Sequence, residues 1–359
     1  MSGHAPGVIV GLSGGVDSAV AALLLRQAGH EVHGLYMSNW DEDDDYCTAA
    51  QDYQDARSVA RELGIVLHKV SFAARYRERV FANFLAEYRA GRTPNPDVLC
   101  NREIKFGVCL SYAARLGAVR FATGHYARLQ SAPDGIALLK AVDTGKDQSY
   151  FLHAVPRTQL QQVLFPLGEL NKAEVRARAR EAGLPVFDKP DSTGICFIGE
   201  RPFAEFLRRY IPDQPGPIES VDGRELGQHR GLHYHTLGQR AGLTLGGVAG
   251  SAPEPWYVAA KDTTRNVLRV VQKHDESLLN SRQLTTAAVN WLCPPPAQPF
   301  TAAVKVRYRQ PDQQAELRPL DAGVEVRFAT PQRAVASGQS AVFYSGERCM
   351  GGGVIVNTL

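Results

Sequence analysis

The run Ser13-Gly14-Gly15-Val16-Asp17-Ser18 constrains this chain more than any other stretch, because it stands between a β-rich segment, Val8–Leu12, and an apolar-periodic one, Ser18–Ala28. Strand, tight turn and helix in that order place backbone N–H groups and the positive end of a helix dipole where an anion can sit. The two glycines let the main chain approach a phosphate closely. The lysine of a P-loop is missing and the spacing is not that of the dinucleotide fingerprint, so a generic NTPase and a nicotinamide enzyme are both disfavoured. Asp17 would repel a phosphate bound beside it, and this conflict of charge predicts Mg²⁺ between the two. The plainer alternative is a βα turn with a Ser or Asp helix cap.

The first half of the chain repeats this alternation. Strand patterns at Val32–Met37, Ile65–Val70 and Val119–Thr123 are separated by an acidic loop, Asp41–Asp45, and by helical patterns at Ala49–Leu63, Phe72–Arg89 and Glu103–Leu116. Such a sequence implies an α/β fold with a doubly wound parallel sheet, whose ligands bind beyond the carboxyl ends of the strands. Helical patterns follow at Arg157–Val163, Lys172–Ala182 and Phe203–Tyr210, and from Pro212 the chain turns β-rich. After the Pro294–Pro296 break, short alternating runs at Ala302–Tyr308, Val324–Ala329, Ala341–Tyr344 and Gly352–Val356 predict an antiparallel β-barrel or sandwich. The length of 359 residues suits two or three domains. The expected division is 1–165 for the α/β domain, with the 190–200 loop returning to its site, 166–280 for a small α+β central domain and 281–359 for a C-terminal β-barrel.

Hydrophobic residues make up 44% and charged residues 21% of the chain, and no uncharged apolar run approaches bilayer length. A soluble, cytoplasmic protein is expected, since the first residues carry neither a secretory nor a transit pattern. A net charge of +3 permits a nucleic-acid partner without demanding one.

Six cysteines, Cys47, Cys100, Cys109, Cys196, Cys293 and Cys349, are too few and too scattered for a disulfide scaffold, and none forms a C-x-x-C pair. Two of them lie in suggestive settings. The segment Arg92-Thr93-Pro94-Asn95-Pro96-Asp97-Val98-Leu99-Cys100-Asn101 is stiffened by two prolines, which suits a site that must hold a base. If Asn95 or Asp97 caps a helix, its dipole favours the Cys100 thiolate, whereas Asp97 on the same face opposes it. Asp97 is therefore better cast as a general acid/base or substrate ligand than as a cysteine activator. Cys196, framed by glycines in Asp191-Ser192-Thr193-Gly194-Ile195-Cys196-Phe197-Ile198-Gly199-Glu200, sits in an expected loop that can swing a thiol.

Taken with GLSGGVDS at 11–18, AGRTPNPDVLCNREIKF at 90–106, ATGHYAR at 122–128, KDQSYFL at 146–152, DSTGICFIGE at 191–200 and HTLGQR at 235–240, the chain closely resembles the tRNA-specific 2-thiouridylases, members of the ATP pyrophosphatase superfamily. The resemblance spans nearly the whole chain and implies an adenine nucleotide alpha hydrolase-like N-terminal domain. It implies ATP- and Mg²⁺-dependent sulfuration of the wobble uridine in tRNAs for lysine, glutamate and glutamine. Gly11, Leu12, Ser13, Gly14, Gly15, Val16, Asp17 and Ser18 would hold the nucleotide, with Met37 and Gly124 bordering adenine and ribose. The residue matching Cys196 would receive a persulfide from a relay protein or cysteine desulfurase. The residue matching Cys100 would be the nucleophile, with a transient Cys100–Cys196 disulfide along one route and Asp97 as acid/base. Asn95, Pro96, Asp97, His125, Lys146, Asp147, Gln148, Arg307, Tyr308 and Gln339 are implied as tRNA contacts.

Two further groups are read from residue type alone. The helix carrying Lys172, Arg176, Arg178 and Arg180 is either a phosphate-binding face or a solvated one with Glu174 and Glu181 as ion-pair partners, and Val304–Arg309 interleaves Lys305, Arg307 and Arg309 with Tyr308. His233 and His235, two apart on an expected strand, lack an evident third ligand, so an ordinary histidine pair is favoured over a metal site. Two other functions compete: an ATP pyrophosphatase acting on a small molecule, which leaves both cysteine segments unused, and a non-catalytic RNA-binding protein, against which the intact phosphate loop speaks.

Overall fold

The computed structural model describes residues 7–40, 49–191, 202–243, 245 and 252–359. The acidic loop, Cys47 and Cys196 lie outside the described residues. Apolar alternation in the first half produces a five-stranded parallel sheet from β1 (Val8–Gly11), β2 (Val32–Ser38), β3 (Leu67–Ser71), β4 (Arg120–Ala122) and β5 (Val163–Leu164), in the order β3-β2-β1-β4-β5. The chain winds outward from β1 to β3 and then returns to the other side of β1, so the switch point lies between β1 and β4. Helices α1 (Val16–Gln27) and α2 (Ala49–Glu62) cover one face. The other face buries a helical run over Ala73–Tyr76, Arg77–Phe81 and Ala82–Arg89, and a second that begins with α3 (Pro96–Cys100) and continues through Asn101–Cys109 to Arg115.

Three expectations change. The helix at 157 ends at Leu160, and Val163–Leu164 instead forms the edge strand β5, because burial against β4 outweighs local pattern. Helix α4 (Lys172–Glu181) packs Val175 and Ala179 into the same core as α1, so the packing of the first domain runs beyond residue 165. His233 and His235 occupy a tight turn, not a strand: Tyr234 N–H bonds to Gly231 O and His235 N–H to Leu232 O.

The central region forms a four-stranded sheet ordered Trp256–Asp262, Val267–Gln272, Gly216–Ser220, Glu225–His229. Its short helix, Phe203–Arg208, docks on the first domain through aromatic rings, with Phe206 against Phe81 at 5.9 Å and Phe203 against Phe84 at 6.3 Å. The C-terminal strands Asn280–Thr286, Phe300–Lys305, Gln313–Leu320, Gly323–Arg333, Ser340–Ser345 and Arg348–Thr358 pair antiparallel, and the first also pairs with the last, closing a barrel. A hairpin from the first domain, Arg128–Ala132 with Gly135–Leu139, adds to the barrel through Arg348 and Cys349. Among the described residues no helix is long and apolar enough to cross a membrane.

Three histidines, His229, His233 and His235, are buried together in the central region, and His229 and His235 stand 6.2 Å apart. Burial, helped by His229, Lys261 and His233, pushes His235 down to about 4, and burial lowers the other two as well. The unfolded chain therefore binds protons at a higher pH than the folded one, so this stability is present above pH ~6.5 and is lost as pH falls toward 4. Thermal melts of the full chain should show the melting temperature falling over that window, and His235→Gln should flatten the slope.

Candidate active site

The loop Ser13–Ser18 follows β1 and the turn at Gly124 follows β4, so both stand at the switch point of the sheet. Gly14 has φ of +79°, and a Cβ there would lie 2.3 Å from Asp52 O. Only glycine fits. A Cβ on Gly124 would meet Asp17 C at 2.7 Å and Ser18 N at 2.8 Å, so the second turn is seated directly on the first turn of α1. Gly15 is the N-cap of α1 and no side chain caps the helix, which leaves first-turn amides for an anion. Ser18 Oγ accepts from Ser13 N–H and donates to Gly15 O, holding the loop shut without a ligand.

Asp17 is not left facing the loop as a bare charge. Lys172 Nζ, at the start of α4, donates to both its oxygens at 2.7 and 2.8 Å, and Tyr126 Oη donates at 2.8 Å. The charge conflict that predicts Mg²⁺ is thus met by an ammonium group already present. Lys172 also pairs with Asp191 at 2.7 Å, and Arg176 and Lys146 converge on the same carboxylate. Burial alone would raise Asp191, but Lys146 and Lys172 hold it down at about 2. Across the loop, Lys189 Nζ donates to Gly14 O at 3.1 Å and pairs with Asp52 and Asp55. Neither Lys172 nor Arg176 is therefore a free phosphate-binding group on a solvated face. Arg176 is consumed by Asp191 and two backbone carbonyls, and Glu174 by the capping box with Asn171. Lys172, eight positions past β5, reads from the sequence only as one charge of a basic helix, and neither its pairing with Asp17 nor the bond from Lys189 to the loop carbonyl has a local mark.

The proline-stiffened segment forms its helix as the residue types dictate: Asn95 caps α3 by accepting from Val98 N–H, and Pro96 takes the first turn, where its missing N–H costs nothing. Cys100 ends α3, a thiol only 2% exposed. Asp97 is raised by burial, with the charge of Lys105 partly opposing this. Lys105 acts on His125 as well, so Asp97 and the turn after β4 share one neighbourhood. Asn101 Nδ2 donates to Phe151 O at 3.1 Å, and Phe151 packs on Tyr308 at 4.5 Å. Met37, Leu99 and Tyr308 all pack against the core that holds Cys100.

The segment before α3 is held from two other domains. Thr93 N–H donates to Ser337 O at 3.0 Å, and Gln339 Nε2 donates to Thr93 O at 2.8 Å and to Pro94 O at 3.3 Å. Thr93 Oγ1 meets Thr236 Oγ1 at 2.9 Å. A Cβ on Gly338 would lie within 3.0 Å of the Thr93 backbone. Gln339 in this state positions the protein's own chain.

Several expected tRNA contacts are spent internally. Asp147 is 4% exposed and accepts from Ala141 N–H, Ser149 N–H and Ser149 Oγ. Gln148 Oε1 accepts from Tyr126 N–H. His125 is buried between Phe106 and Phe165, bonded to Thr123 Oγ1 at 2.8 Å, and burial holds it well below its ordinary value, hence neutral. Strand pairing stops at Lys305 because Val306 N–H bonds to Gln310 Oε1 and Gln310 N–H to Arg307 O, so Arg307 and Tyr308 sit in a turn, not on the expected strand. Arg307 donates to Ala334 O and, with Arg309 and Arg333, lines a surface cavity of about 540 Å³. Among the described residues no group of three or more His, Cys, Asp or Glu side chains is placed to hold a metal.

Three family models match the chain in order: a tRNA methyl transferase HUP domain over residues 6–200, a tRNA methyl transferase PRC-barrel domain over 204–272 and an aminomethyltransferase beta-barrel domain over 281–355. The chain is 57% identical over 357 residues to the tRNA-specific 2-thiouridylase MnmA of Marinobacter nauticus, covering 98% of this chain and 91% of that protein. It is 56% identical over 356 residues to the protein of the same name from Chromohalobacter salexigens, covering 98% and 92%. Among solved structures it is similar to the U34-tRNA thiolase NcsA from Methanococcus maripaludis with its 4Fe-4S cluster, at 17% identity and a TM-score of 0.35, over 52% of this chain and 60% of that one. The geometry of the loop makes its own prediction: Gly14→Ala should fold yet weaken pyrophosphate binding at least tenfold by calorimetry, because the loop must shift away from Asp52.

Proposed function

Because the chain belongs to the tRNA-specific 2-thiouridylase family, we propose that it replaces the C2 oxygen of the wobble uridine in lysine, glutamate and glutamine tRNAs with sulfur, converting ATP to AMP and pyrophosphate. The observations that carry this reading are a glycine-built anion loop after β1 and a stiff helix bearing Asp97 and Cys100, packed on opposite faces of one sheet.

The chemistry follows from what each group can supply. The uracil C2 oxygen is a poor leaving group and becomes a good one as an adenylate. The amides of the Ser13–Ser18 loop offset the charge that develops on departing pyrophosphate, and Lys172 and Lys189 brace that loop by holding Asp17 and the Gly14 carbonyl. Mg²⁺ would enter with the nucleotide, with Asp17 as the loop carboxylate within reach, and would supply further neutralisation of the phosphates. Asp97, raised by burial, is suited to hold a proton for the base and to exchange it as the C2 substituent changes. Met37 and Gly124 border the nucleoside of ATP.

Sulfur arrives as a persulfide on Cys196, delivered by a relay protein or cysteine desulfurase. Cys100 then either expels AMP from the activated C2 and is displaced there by the outer sulfur of the Cys196 persulfide, whose S–S bond it next cleaves, or it releases sulfide from Cys196 that expels AMP itself; both routes leave a Cys100–Cys196 disulfide that a reductant reopens. An anticodon-loop uridine leaves its stack at modest cost; Tyr308 packs on the core that holds Cys100, and with Arg307 and Arg309 in the same turn it suits the phosphates and bases around that uridine. Lys146 adds charge at the same edge.

The test pairs two variants. Cys100→Ser and Cys196→Ser should each abolish 2-thiouridine in nucleoside analysis while tRNA binding by filter retention stays within twofold, and robust thiolation by either contradicts the assignment. Arg307→Ala should weaken tRNA binding and lower the slope of log K against log salt by about one.

A further inference from the structure

Lys261 lies on the edge strand Trp256–Asp262 of the central sheet, and its Nζ donates to Gly91 O at 3.0 Å. Gly91 has φ of +75°, and a Cβ there would stand 2.6 Å from Thr263 Cγ2, so the chain root and the end of this strand are in tight contact. Beyond Gly91 the chain is stiff: Arg92 is held by a two-bond pair with Glu87, Thr93 is bonded on both sides, and Pro94 and Pro96 fix φ. Gly91 closes the preceding helix, its N–H bonded to Tyr88 O and its C=O to Lys261, and so is the joint at which the arm carrying Asp97 and Cys100 begins. The arm is clamped at two points, Gly91 by the central sheet and Thr93 by the barrel, and the two together set its direction.

We propose that Lys261 is a positioning residue for thiolation: by fastening Gly91 O it fixes the angle at which the arm presents Asp97 and Cys100, and so ties the central sheet to the reacting groups. The proposal rests on the thiouridylase reading and adds to it a residue that touches neither substrate nor cysteine. A charged donor makes a stronger bond to a carbonyl than a neutral one. Burial pushes Lys261 down to about 8, and its charge in turn lowers His233 and His235, both coupled to His229 and the former also to Asp213. The three histidines are held neutral at that pH, so the alkaline change at this joint belongs to Lys261.

The experiment is steady-state thiolation of unmodified lysine tRNA by the full chain with a sulfide donor, comparing wild type, Lys261→Met and Lys261→Arg from pH 6.5 to 9.5. Lys261→Met should lower kcat at least tenfold with tRNA Kd and ATP KM within twofold. Lys261→Arg should recover kcat to within threefold and remove the alkaline decline that the wild type shows near pH 8, because the guanidinium does not titrate there. A Lys261→Met enzyme within twofold of wild type overturns the proposal. So does a loss seen only in tRNA Kd, or an alkaline decline unchanged in Lys261→Arg. A wild type that makes no 2-thiouridine overturns the function reading, and this proposal with it.

Discussion

The hydrogen bonds to Thr93 from the barrel turn are the contact on which the rest of the site depends. Ser337 O and Gln339 Nε2 take the N–H and C=O of one residue in a proline-rich arm, as a neighbouring strand would, and Thr236 bonds to its side chain. Without them the arm is an exposed loop with unsatisfied backbone groups; with them it is a fixed platform for α3. The close approach also explains the glycine at 338, since any side chain there would strike Thr93. The three domains, which also meet through the 128–139 hairpin on the barrel and the Phe203–Arg208 helix on the first domain, are thus joined at the point where chemistry needs precision, an arrangement suited to reporting whether all three are seated.

Electrostatics at the phosphate loop complement this mechanical frame. Asp17 and Asp191 share Lys172, while Arg176 and Lys146 add to Asp191, and Lys189 binds the loop carbonyl and two carboxylates of α2. These pairs, four cations against four carboxylates, fix the loop and its neighbours in place before a nucleotide arrives. Partly buried, they are less screened than surface pairs, and their value lies more in placement than in stability. Lys189 and Asp191 directly precede the segment that carries Cys196, so the same network fixes where that segment departs.

The fold was legible where local pattern and tertiary need agree. The β1–loop–α1 unit, the alternation of strands and helices, the Asn95 cap and the alternating barrel strands follow from periodicity, glycine placement and cap chemistry. The hairpin at 128–139 carries a Pro-Asp-Gly turn but pairs with Arg348 and Cys349 near the other end of the chain, a partner no local signal names. In the same way α4 reads as a basic solvated face, and only its docking on α1 turns Lys172 toward Asp17. The candidate site residues stand out in the sequence as motifs. Their division of labour does not, because whether Asp147 or Gln148 faces a ligand or the protein's own backbone depends on burial, which spacing does not encode.

The central claim is that nucleotide cleavage and sulfur insertion occur at one composite site on a tRNA. The most direct measurement is the ratio of pyrophosphate released to 2-thiouridine formed, with ATP, Mg²⁺, a sulfide donor and unmodified lysine tRNA, and again without tRNA. The account predicts a ratio near one and negligible pyrophosphate when tRNA is omitted. Pyrophosphate released equally without tRNA would contradict it and point to a small-molecule substrate.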